Sequence, residues 1–216
     1  MPFSIKDLVT GSLFFYSTIC MAQPASNAMQ LSDAPDSIAR ATASNAYPTY
    51  TMALLRWKNV RDVNNWISAN FRYSLPRAKQ LAANSTNREQ VAIYTPAELY
   101  AQKTGVCVDL SRFTVETLKT IDSSLQAQYL LIEFEPVTID GSVLKNHWLT
   151  IYQTAEGYFI MADSKRPGYI AGPYKQPADF IAGYEAFRNR KIVSWKVLPS
   201  YQKKKKQLKV QDNRLM

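Results

Sequence analysis

The order of hydrophobic periods along this chain constrains its fold more than any single residue does. Leu54, Trp57, Val60, Val63 and Ile67 recur at steps of three and four, which lays an apolar stripe along a helix beginning near Met52. Strand-like runs crowd the second half, at 129–134, 145–152, 158–163 and 192–198. One further helix is predicted over 177–187, weakened by Gly183. Strands that follow helices, rather than alternating with them, predict an α+β fold with an antiparallel sheet.

Punctuation sharpens this outline. The helix from Met52 is expected to be over before Pro76, and 77–94 carries no firm signal. Thr95-Pro96-Ala97-Glu98 reads as a capping box, with Pro96 at the first helical position. That short helix should end by Thr104, with Gly105 taking up the backbone twist after it. A second helix then runs from Cys107 to about Ser123, with Leu110, Val115, Leu118 and Ile121 on one side. Asp140-Gly141 marks a turn between strands.

At 216 residues and 46% hydrophobic, the chain suits one domain with a full core. Residues 1–22 read as a signal peptide: Lys6, the apolar stretch Leu8–Ile19, then Cys20-Met21-Ala22 as a small-residue cleavage site. The expectation is a periplasmic or secreted protein, with an N-terminal membrane anchor as the alternative. Residues 23–50 form a flexible leader, 51–200 the domain, and 201–216 a basic disordered tail. The tail, with Lys203, Lys204, Lys205 and Lys206, carries a net +5 of the chain's +9. Such a run suits an anionic surface, and without an aromatic or arginine patch in the body it gives no case for nucleic acid.

Removing the signal peptide leaves one cysteine, Cys107, and one histidine, His147. No intramolecular disulfide can then form, no zinc ligand set is present, and no phosphate or dinucleotide glycine pattern occurs; no cofactor is expected. Cys107 opens a helix in Gly105-Val106-Cys107-Val108-Asp109, where the first amides stabilise a thiolate. His147 opens a strand, and Asp163 closes the next one 16 residues later. A thiol, an imidazole and a carboxylate so placed are the parts of an activated nucleophile.

Register decides whether Asp163 meets His147. A five-residue loop from Gln153 to Gly157 pairs Tyr152 with Tyr158, and His147 with Asp163 on one face. A four-residue loop pairs Trp148 with Asp163 and turns His147 away. Gly157 at the loop end favours the first. Asp109 is expected to be a solvated first-turn charge, and Trp148 to pack beneath the site.

The motifs Gly105-x-Cys107-x-Asp109, His147-Trp148 and Ala162-Asp163-Ser164, in that order, resemble the transglutaminase-like superfamily of papain-like thiol enzymes over roughly residues 53 to 165. The resemblance implies a catalytic helix packed on an antiparallel sheet, and acyl transfer at amides by Cys107, His147 and Asp163. It also implies a side-chain oxyanion donor ahead of the cysteine helix, for which Tyr73 is the candidate. Substrates would be proteins or peptides, cell-wall peptides among them, and small secreted members look more like peptidases or amidases than cross-linking transglutaminases. Two alternatives stand beside this reading. A papain-like cell-wall endopeptidase is the weaker match, because Val106 and Val108 flank Cys107 where Asp and Ser are usual. A non-catalytic binding module on the same fold is the other.

Overall fold

The computed structural model describes residues 47–84, 91–139 and 142–202. The segment read as a signal peptide, most of the expected leader, Asp140-Gly141 and the lysine run lie outside the described residues. Six helices occur among those described: α1 Tyr50–Arg56, α2 Val60–Asn70, α3 Leu75–Ala83, α4 Pro96–Gln102, α5 Cys107–Ile121 and α6 Pro177–Arg188. Two short strands, β1 Arg72–Tyr73 and β2 Thr104–Gly105, pair in parallel. The main sheet is antiparallel, in the order β6-β5-β4-β3-β7. Its strands are β3 Gln128–Ile139, β4 Ser142–Thr154, β5 Gly157–Met161, β6 Ala171–Tyr174 and β7 Ile192–Leu198. This is the α+β architecture that the order of periods predicts.

The sheet separates two cores. On one face, α5 packs over Tyr152, Phe159 and Met161, and carries α1, α2 and α4 with it. There Trp66 stacks on Tyr100 at 4.7 Å and meets Phe113 at 4.8 Å, inside a cluster that includes Tyr50 and Trp57. On the other face, α6 lays Phe180 and Tyr184 over Leu130, Ile132, Leu149, Ile151 and Ile160. Tyr50 and Tyr47, read as leader, belong to the domain: Tyr100 donates to the Tyr47 carbonyl at 2.9 Å. Tyr201, read as tail, packs on Tyr129 with ring centroids 5.7 Å apart.

Local chemistry corrects three boundaries. The single helix from Met52 is two, because Asn59 and Asp62 cap each other's amides and restart the chain at Val60. The segment after Pro76 begins as a helix, with Ser74 accepting from the Arg77 amide and Pro76 in the first turn. The left-handed residue ending α4 is Lys103, at φ 56°, and not Gly105. The Thr95–Glu98 capping box, by contrast, forms as read.

Gly105 is required for space rather than for twist. A Cβ there would lie 2.7 Å from Leu99 Cδ1 and 3.2 Å from Asp109 Cβ. Among the described residues no helix is long and apolar enough to cross a membrane. Gly105→Ala should lower the unfolding free energy by about 1–3 kcal/mol through overpacking, measured by urea denaturation. An unchanged midpoint would show that Leu99 can move aside.

Candidate active site

Position of the thiol follows from how α5 starts. Asp109 is completely buried, with each carboxylate oxygen accepting twice. Oδ2 takes Arg77 Nε at 2.7 Å and the Val106 amide at 3.1 Å. Oδ1 takes Arg77 Nη2 at 2.8 Å and the Tyr94 amide at 2.9 Å. Arg77 is buried as well, lies 3.4 Å over the Tyr94 ring and donates to the Ala92 carbonyl. Asp109 is therefore no solvated charge. It caps α5 and ties it to α3 and the segment before α4, two residues from Cys107.

The imidazole and carboxylate meet by a route that the register argument does not contain. The β4–β5 ladder pairs Gln153 with Tyr158 and ends at Thr150–Met161. That is the register expected to turn His147 away from Asp163. The chain leaves the ladder first: Ala162 is left-handed, at φ 62°, and a turn from Asp163 to Arg166 follows. Asp163 is thus outside the alternation of the strand. His147 Nε2 and Asp163 Oδ1 lie 3.1 Å apart, both groups buried.

The early end of β5 also opens the edge of β4 beyond Thr150, and Cys107 uses it. The half-buried thiol lies beside His147 and the Trp148 backbone N–H, both near enough to act on its charge. With Nε2 engaged by Asp163, Nδ1 is the nitrogen left for the thiol. Burial opposes the Cys107 thiolate, but the His147 hydrogen bond and charge and the Trp148 amide outweigh it, leaving the thiol below its ordinary value. Asp109 pulls weakly the other way. Burial likewise opposes the imidazolium, and the hydrogen bonds with Asp163 and Cys107 raise His147 above its usual value.

Asp163 stays ionised despite burial, held well below the usual carboxylate range by its donors, His147 first. Oδ1 also accepts the Lys165 amide at 2.9 Å. Oδ2 accepts Tyr184 Oη at 2.9 Å and Arg166 Nε at 3.2 Å. Arg77, Arg166 and Tyr184 are residues that the sequence reading missed. Each touches a carboxylate singled out there, but sequence separations of 32 and 21 for Arg77–Asp109 and Tyr184–Asp163 leave no local signal.

Tyr73 sits on β1 at the rim, with Lys165 Nζ 4.5 Å from its ring centre. Its hydroxyl is raised by partial burial and by the nearby Cys107 charge. Trp148 packs edge-on against Tyr129, with ring centroids 6.2 Å apart.

Comparison with known proteins adds a family. The sequence matches the family model described as a transglutaminase-like domain over residues 46–193. No curated protein matches it. Among solved structures, EGTA-treated LapG of Legionella pneumophila matches at 13% identity and a TM-score of 0.26. The match covers 77% of this chain and 86% of that one, and a likeness at this level carries no inference.

Asp109→Ala should destabilise the fold by about 3–5 kcal/mol, because it leaves the Arg77 cation buried without its carboxylate. Chemical denaturation reads this, and the double variant Arg77→Met/Asp109→Leu should recover part of the loss. Equal loss in single and double variants would show that packing, not charge pairing, is what Asp109 provides.

Proposed function

The chain belongs to the transglutaminase-like domain family, and on that footing we propose that it is a periplasmic or secreted thiol enzyme acting on amides. The observation that carries this is the buried His147–Asp163 hydrogen bond beside the Cys107 thiol, at the start of a helix. The reaction is acyl transfer, with a protein or peptide as substrate and hydrolysis as the outcome. Cell-wall peptides are included in that class.

The Cys107 thiolate attacks the amide carbonyl carbon, and the carbonyl π electrons move onto oxygen. Cys107 is the first residue of α5, so its own N–H has no intrahelical acceptor and is free to donate to that oxyanion. Tyr73, close enough to sense the Cys107 charge, is the candidate second donor. His147 Nδ1–H protonates the leaving nitrogen as the C–N bond breaks, giving a thioester. Water then loses a proton to His147 and attacks the thioester. The C–S bond breaks, the acid leaves, and the thiolate–imidazolium pair is restored. Asp163 keeps its charge throughout and fixes which ring nitrogen faces the thiol.

The lowered thiol and raised imidazole set the pH behaviour. The ion pair forms as pH rises through the depressed thiol value and persists until His147 deprotonates above its ordinary value. Iodoacetamide should therefore alkylate Cys107 well below the usual thiol value of about 8.5. His147→Ala should return the reaction to that range. If wild type and His147→Ala gave the same profile, the two side chains would not act together.

Asp163→Asn should keep the fold, slow acylation by roughly 10²–10⁴-fold and move the apparent thiol value upward. Identical alkylation profiles would remove Asp163 from the mechanism. Profiling against periplasmic proteins and cell-wall fragments, wild type beside Cys107→Ala, should show cleavage lost in the variant. Incorporation of a free amine in place of cleavage would make transamidation the activity.

A further inference from the structure

We propose that Tyr184 and Arg188 of α6 form a positioning relay behind Asp163, one that sets the alkaline limit of the Cys107–His147 ion pair. This rests on the triad reading above and adds the two residues that tune it. Tyr184 is 2% exposed, donates its hydroxyl to Asp163 Oδ2 at 2.9 Å and accepts from Arg188 Nη1 at 2.9 Å. Its ring lies nearly parallel to the His147 imidazole, at 14° with centroids 6.2 Å apart. Packing alone does not call for that hydroxyl: Phe180, stacked on Tyr184 at 4.7 Å, fills the same core without one. The donors run unbroken from Arg188 through Tyr184 to Asp163, which His147 meets on its other oxygen.

A carboxylate divides one negative charge among its donors. Tyr184 and Arg166 hold Oδ2, while His147 shares Oδ1 with the Lys165 amide. Every donor other than His147 reduces the pull on the imidazolium. The Arg188 cation polarises the Tyr184 hydroxyl and so strengthens that drain. The relay therefore fixes the carboxylate at Nε2 while limiting how strongly it stabilises the imidazolium, whose Nδ1 proton is the one that must reach the leaving nitrogen.

The other charged groups around the pair have places of their own. Asp109 is matched by Arg77, and Lys145 on β4 is paired with Glu133 at 3.2 Å. Arg190 donates to the Glu135 and Leu144 carbonyls. Lys165 Nζ and Tyr73 face each other at the rim, and Arg166 lies over Tyr169 and Phe187.

Direction distinguishes the relay from simple support. Removing a competing donor leaves more charge for His147, so Tyr184→Phe and Arg188→Gln should each raise its titration. Mere loss of packing would free the imidazole from Asp163 and lower it. His147 is the chain's one histidine, so its ring resonances titrate without ambiguity in the full-length protein.

NMR titration of wild type and both variants should show the His147 midpoint moving up by several tenths of a pH unit or more in each variant. Alkylation at Cys107, followed on its own peptide by mass spectrometry, should retain its early onset. An unmoved or lowered His147 midpoint in the two variants overturns the relay alone. A wild-type thiol that reacts in the ordinary range, indifferent to His147→Ala, overturns the triad reading and the relay with it. Tyr184→Phe keeps the ring, and Arg188 lies half-buried at the end of α6, so the folded state is available to both measurements.

Discussion

The buried Asp109 carboxylate is the constraint on which the site depends. A helix start that presents a thiol has to be held in place, and Val106 offers no polar side chain to do it. Asp109 reaches back to the Val106 amide from inside the first turn, and the same carboxylate grips Arg77 and the Tyr94 amide. Three separate stretches of chain thereby share one anion. Gly105 is part of the device, because its missing side chain lets Leu99 and Asp109 approach the backbone. The cost is a negative charge near a thiolate. Arg77, bound through two nitrogens, neutralises most of it, which is why an arginine rather than a lysine suits this position.

A second constraint is the place where β5 stops. Had the ladder continued past Thr150, the Trp148 N–H would have bonded to a strand, and Cys107 would have had no edge to approach. Ala162 in the left-handed region ends the pairing and swings Asp163 into a turn. One backbone irregularity thus supplies a free amide for the sulfur and a carboxylate for the imidazole. A non-glycine residue in that conformation costs energy, and the four donors gathered on Asp163 offset it.

Much of this architecture could be read along the chain, and what was legible was local. The period of three and four, the Thr95–Glu98 capping box and the strand-like run of β4 are set by neighbouring residues. The position of Cys107 at the opening of its helix was legible for the same reason, whereas His147, expected to open a strand, lies inside β4, which starts five residues earlier at Ser142. The starts at Ser74-Leu75-Pro76 and Asn59-x-x-Asp62 are local too, a serine cap with an early proline and a reciprocal cap, and they separate α3 and divide α1 from α2. The rest was not local. Asp109 looked like a surface charge because the residue that buries it, Arg77, lies 32 positions away. The approach of Asp163 to His147 comes from the left-handed Ala162 and not from the expected register, and nothing in Met161-Ala162-Asp163 announces that conformation.

Charge accounting explains how a half-buried thiolate can persist in such a site. Two carboxylates and a thiolate lie in a small volume, and each has its own cation. Arg77 answers Asp109, Arg166 answers Asp163, and the imidazolium answers Cys107. Asp163, gathered among four donors and held below its ordinary range, does not compete for the proton that moves between sulfur and imidazole. That proton is then the one easily transferred charge in the cluster. The helix start and the Trp148 amide favour its departure from sulfur, while Asp163 favours its arrival at His147. A site arranged in this way leaves the thiol and the imidazole, one lowered and the other raised, as the pair between which the proton is exchanged.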